Sequence, residues 1–112
     1  MAFLMPPSEQ HLYTAKPQCT EQAIEHAATW LSKGHRVRIR VGPTKNTKQN
    51  GLGHAETEVE YDGKWYPAIS KNGFSVLDET GDGLLMGTDY YLTLHEAVKR
   101  WTKPGLIEPE AK

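Results

Sequence analysis

The sequence predicts an α+β domain: an N-terminal helix packed on a small antiparallel sheet of three to five strands, followed by a C-terminal helix. Three observations predict it. An apolar stripe of helical period covers 24–31. Alternation of period two governs 35–41 and 54–61. A second helical stripe follows residue 93.

The elements follow in order. Residues 1–17 carry Pro6, Pro7 and Pro17 without a clear period and read as an arm lying across the domain. Ile24, Ala27, Ala28 and Leu31 fall at i, i+3, i+4 and i+7, which predicts a first helix from about Thr20 to Lys33. Pro17 bars helix before it, and Gly34 is the expected residue just past its end. In His35 to Val41, Val37, Ile39 and Val41 alternate with Arg36, Arg38 and Arg40, the pattern of a half-buried strand. A polar, glycine-bounded loop spans 42–51.

The second alternating run sets His54, Glu56, Glu58 and Glu60 on one face and Ala55, Thr57, Val59 and Tyr61 on the other. Asp62-Gly63 is a strong two-residue hairpin signal, so Lys64 to Ile69 is the return strand. Asn72-Gly73 predicts a further tight turn before a strand at Phe74 to Leu77. Glu79 to Gly87 is a glycine-rich loop and Tyr90 to Leu92 a short strand. Thr93 and Glu96 form a capping box for a second helix striped by Leu94, Ala97, Val98 and Trp101, and Pro104-Gly105 ends it. The expected organisation is one domain, with an arm at 1–17, a core at 18–103 and a frayed tail at 104–112.

Composition narrows the function classes. With 112 residues, 38% hydrophobic and 24% charged, the chain suits one modest core. A net charge of −1 gives no overall attraction to nucleic acid or membrane. The single cysteine forbids an internal disulfide and fits a reducing compartment. No run approaches the roughly 20 apolar residues of a membrane span, and the apolar stretch at 1–5 is short for a signal peptide. A cytoplasmic, soluble protein is expected.

Cys19 is that single cysteine, and it falls where the first helix begins. A thiol there faces unpaired backbone N–H groups and the positive end of the helix dipole, and both favour thiolate. His54 opens the long strand. A nucleophile and a general base is one interpretation of this pair. An inert buried cysteine beside an unrelated histidine is the other, since lone cysteines commonly act as small hydrophobes.

The surroundings of the pair carry a resemblance. Cys19-Thr20-Glu21 on a helix start, His54-Ala55-Glu56-Thr57-Glu58-Val59 on a strand, and Gly63-Lys64-Trp65 after the turn resemble the transglutaminase-like cysteine hydrolases of the papain-like class. The likeness covers about residues 15–78. It implies a papain-like core, a Cys–His thiol site, a protein or peptide substrate and no cofactor. By the same resemblance Cys19 is the nucleophile and His54 the base. The Cys19 N–H and Gln18 would hold the oxyanion, and Trp65 would be a binding residue.

The family's third residue, an aspartate on the strand after the histidine, has no match here: the corresponding stretch is Pro67-Ala68-Ile69-Ser70. A two-residue turn at Asp62-Gly63 sets Tyr61 against Lys64 and so Lys71 opposite His54. Ser70 and Asn72 then face away unless a bulge intervenes. The order of preference for the third member is Asn72, then Asp78, then Ser70. Asn72-Gly73 is better explained as a turn alone. Parity raises a second tension, because His54 shares its face with three glutamates.

Arg36, Arg38 and Arg40 fit a cross-strand ladder with Glu56, Glu58 and Glu60 better than a nucleic-acid site. His11, His26, His35 and His95 have no metal-ligand spacing. The expected function is a cysteine hydrolase or acyltransferase acting on an amide or ester bond. The alternative is an inactive papain-like scaffold working as a protein-binding module, of a size suited to a viral or mobile-element product. An anion or nucleic-acid binder using the arginine strand ranks third.

Overall fold

The computed structural model describes residues 3–4, 14–15, 17–43, 52–80 and 88–101. In chain order the elements are β1 (Phe3–Leu4), β2 (Thr14–Ala15), α1 (Pro17–Ser32), β3 (Val37–Pro43), β4 (Leu52–Tyr61), β5 (Lys64–Lys71), β6 (Phe74–Leu77), β7 (Thr88–Leu92) and α2 (Leu94–Trp101). Five strands pair antiparallel in the order β7-β3-β4-β5-β6. β1 joins β7 and β2 joins β4, both in parallel. The α+β class and the helix–sheet–helix order stand. Among the described residues no helix is long and apolar enough to cross a membrane. The loop expected at 42–51, the glycine-rich 79–87 and the tail 104–112 fall largely or wholly outside the described residues.

One face of the sheet is apolar and takes α1. Val41 pairs with Ala55 and Tyr90, and Ile39 with Thr57 and Leu92, so these side chains share that face. Together with Ala23 and Ala27 of α1 and Ala97 of α2 they form the buried core. Alanines on the inner stripe of α1 let the helix lie close. Thr57, only 1% exposed, uses that closeness to donate its hydroxyl to the Ala23 carbonyl. Cys19 meets His54 and Ala23 meets Thr57, so α1 runs alongside β4 in the same direction.

The other face carries the expected charge ladder, with one change. Arg38 Nε donates to Glu58 Oε1 at 2.7 Å, and Arg36 reaches Glu60 at 3.4 Å. Arg40 pairs in register with Glu56 but sends its Nε across to Asp89 on β7 at 2.7 Å. The Arg38 guanidinium is sandwiched 4.0 Å from the Trp65 ring and 4.1 Å from the Tyr91 ring, a cation–π stack that shields the ladder. Burial pushes the Tyr91 hydroxyl above its usual range, and Glu58 adds to the shift.

Local chemistry sets the boundaries. Asp62 and Gly63 have φ of 56° and 82°, and Asn72 and Gly73 have 53° and 81°. Positive φ at both central positions is the geometry that matches the twist of a hairpin. Thr93 and Glu96 close the capping box reciprocally, at 3.0 and 2.9 Å. Two of the boundaries that differ from expectation have a clear local reason. α1 begins at Pro17, ahead of Thr20, because proline fits the first helical turn, where no N–H partner is needed. β3 continues through Gly42-Pro43, taken above as loop, because its register with β4 runs on to Gly53.

Candidate active site

The site is built at one end of the sheet, where α1 and β4 both begin. Cys19 lies in the first turn of α1, half-buried and packed on the edge of the core. The first four N–H groups of a helix have no partner within it, and that of Cys19 is among them. The sulfur lies 3.2 Å from Nδ1 of His54.

The residue before His54 is Gly53. A Cβ at Gly53 would overlap the carbonyl oxygen of Gly42 on β3, so only glycine allows β3 and β4 to approach so closely there. Strict alternation puts His54 with Glu56 on the face away from α1, yet the imidazole reaches the sulfur. The tension is relieved at the strand's end, where the close approach at Gly53 immediately precedes His54.

The sheet opens beside this pair. The β4–β5 ladder runs from Tyr61↔Lys64 to Glu58↔Pro67 and stops, and β2 pairs with β4 at Leu52 and Gly53. Between these two ladders, 54–57 of β4 face a cleft of about 220 Å³ whose walls include His26, His54, Glu56, Ala68 and Ser70. The facing of His54 and Lys71 expected from the hairpin is therefore not made. Lys71 pairs with Phe74 on β6.

The far wall of the cleft is a second histidine that the sequence did not single out. Trp30 Nε1 donates to Ser75 Oγ at 2.9 Å, so the Ser75 hydroxyl has its own proton for Nδ1 of His26. Nε2–H of His26 then donates to Ser70 Oγ at 3.1 Å. Burial pushes the His26 pKa below its ordinary value of 6.5, against a smaller opposing pull from Glu25. Ser70, third in the order for orienting His54, serves His26 here. The residues that make this cluster are far apart in sequence, and no local signal announces them.

The remaining expected residues lie as follows. Gln18 is exposed, one residue before the thiol. Asn72 is exposed at the β5–β6 turn, where its positive φ is its visible role. Asp78 follows β6, its backbone N–H bonded to the Pro67 carbonyl and its Oδ2 accepting from Thr80 at 3.1 Å. Among the described residues no hydrogen bond joins Asn72 or Asp78 to the imidazole. Trp65 packs on Arg38, on the face of the ladder.

Asp89 lies at the same end of the sheet. It is 1% exposed; its Oδ2 accepts from Arg40, and its buried Oδ1 has no hydrogen-bond partner. Burial alone would lower the Arg40 pKa, but the bond and charge of Asp89, with the charge of Glu58, carry it above its ordinary value. Among the described residues no three His, Cys, Asp or Glu side chains gather as a metal site. No protein-family model, curated protein or solved structure matches the chain.

Proposed function

We propose that the protein is a cysteine hydrolase or acyltransferase of the transglutaminase-like kind, acting on an amide or ester carbonyl. The observation that carries this is the 3.2 Å separation of Cys19 Sγ and His54 Nδ1, within reach of direct proton transfer. His54 takes the thiol proton on Nδ1, and the sulfur bonds to the carbonyl carbon. The electron pair of the C=O moves to oxygen, which the Cys19 N–H receives. Collapse breaks the bond to the leaving amine or alcohol, which takes the proton from Nδ1. Water, or an acceptor amine, then gives a proton to His54 and attacks the thioester, and the sulfur departs. The cleft beside His54 has room for a small substrate side chain, its walls offering hydroxyl, imidazole and carboxylate groups.

The test needs no known substrate. Alkylation of Cys19 by iodoacetamide near pH 6.5 is followed in the wild type and in His54→Ala. A general base within contact contributes about 10²-fold or more to such proton transfers, so a drop of at least tenfold is expected. Equal rates in the two proteins overturn the proposal. In that event a binding module on the same scaffold becomes the better account, and Cys19→Ala would keep full biological activity.

A further inference from the structure

Three residues lie in one row across the end of the sheet. Gly42 on β3 pairs with His54 on β4. On its other side β3 pairs with β7 through Val41↔Tyr90, which sets Gly42 beside Asp89. Gly42 is the middle of the row, and it has no side chain. A Cβ built there would overlap Oδ1 of Asp89, so the carboxylate lies in the space that a side chain at 42 would fill. On the far side of that space is His54.

The state of the carboxylate is unusual. Arg40 fixes Oδ2, while Oδ1 is buried with no hydrogen-bond partner. Leaving a buried acceptor unmatched forfeits the water it gave up on burial, at a greater cost where it is charged. Pairing with Arg40 uses one oxygen and accounts for one oxygen. It explains neither the second nor the glycine that makes room for it.

We propose that Asp89 is the positioning residue for His54: Oδ1, above Gly42, accepts the Nε2 proton of the imidazole and holds Nδ1 toward Cys19. This rests on the Cys19–His54 reading given above. The bond is not made in the resting structure. Such contacts commonly shorten only when the imidazole takes its proton and substrate closes the site. Asp89 supplies by a different strand the orienting group absent from β5. The row also explains Gly42, since any larger residue would stand between carboxylate and imidazole.

The experiment is the pH profile of Cys19 alkylation between pH 5 and 9, for wild type, Asp89→Asn, Gly42→Ala, His54→Ala and Arg36→Gln, each checked for folding by thermal melting. Asp89→Asn and Gly42→Ala should each lower the rate near neutral pH by about tenfold and shift the profile. Arg36→Gln, at the opposite end of the sheet, should leave it unchanged. A wild-type profile in a folded Asp89→Asn protein overturns the inference. If His54→Ala also matches wild type, the catalytic reading fails with it; if only His54→Ala is slow, the inference about Asp89 fails alone. The wild type gives a readout that survives misfolding of the variants. With Cys19 carrying the carboxamidomethyl adduct as a substrate mimic, an imidazole Nε2–H of His54 that exchanges slowly with water, by nitrogen-edited NMR, is expected, and rapid exchange across the pH range overturns the proposal.

Discussion

The two ends of the sheet are made of the same strands and do different work. At the end where β4 turns into β5 every residue from Glu58 to Glu60 has a ladder partner on both sides or an ion pair across the strand. There the backbone turns tightly at Asp62-Gly63, and His35 stacks on Tyr61 with ring centroids 5.3 Å apart. At the other end β5 leaves β4, a cleft opens, two glycines stand where side chains would collide, and one carboxylate oxygen is unmatched. The two-sided ladder closes one end of the sheet, while Asp89 Oδ1, one of two buried side-chain polar atoms without a partner among the described residues, lies at the other. Cys19 and His54 are at that open end.

The largest effect is expected at the closed end. Val59 is fully buried and pairs with Val37, so Val59→Ala should cost about 2–3 kcal/mol in urea unfolding. The alkylation rate of the still-folded protein should not change. A large change would mean that the two ends are not separable. Gly53→Ala probes the open end. Its Cβ meets backbone rather than a side chain that could move, so overpacking of about 1–3 kcal/mol is expected. Here the alkylation rate should fall as well, because His54 is the next residue. A variant that keeps both stability and rate would show that the close approach of β3 and β4 is not needed.

The smallest effect is on pH dependence. Burial depresses the His26 pKa, so the folded protein resists protonation that the unfolded chain accepts. Its contribution is therefore complete above the ordinary value of 6.5 and is lost as pH falls from there toward the folded pKa. Melting temperature should decline on acidification below pH 6.5, and His26→Asn should flatten that part of the curve. An unchanged slope would remove His26 from the account.

Much of the fold was legible because its signals are local. Asp62-Gly63 and Asn72-Gly73 specify their turns by the φ values these residues tolerate, and Thr93 with Glu96 announces a helix start within four residues. That the arginines and glutamates would face one another was legible from alternation, whereas the register that sets Arg38 against Glu58 was not. The nearness of Cys19 to His54 could be anticipated only through the order of elements around them. What stayed hidden depends on contacts between distant segments. Nothing near Asp89 signals that β7 will lie against β3, and Gly42 looked like the start of a loop. His26 lies on the helix face toward the cleft, and its serine partners come from β5 and β6, which the sequence placed but did not aim.

The two-residue strand β2 has a consequence out of proportion to its size. Ala15 sits beside Gly53, Cys19 follows Ala15 by a few residues, and His54 follows Gly53 directly. Thiol and imidazole are thus tied through the backbone as well as through the packing of Cys19 on the core. β2 is a clasp. It anchors the chain ahead of α1 to the start of β4, independently of the Thr57–Ala23 bond farther along the helix.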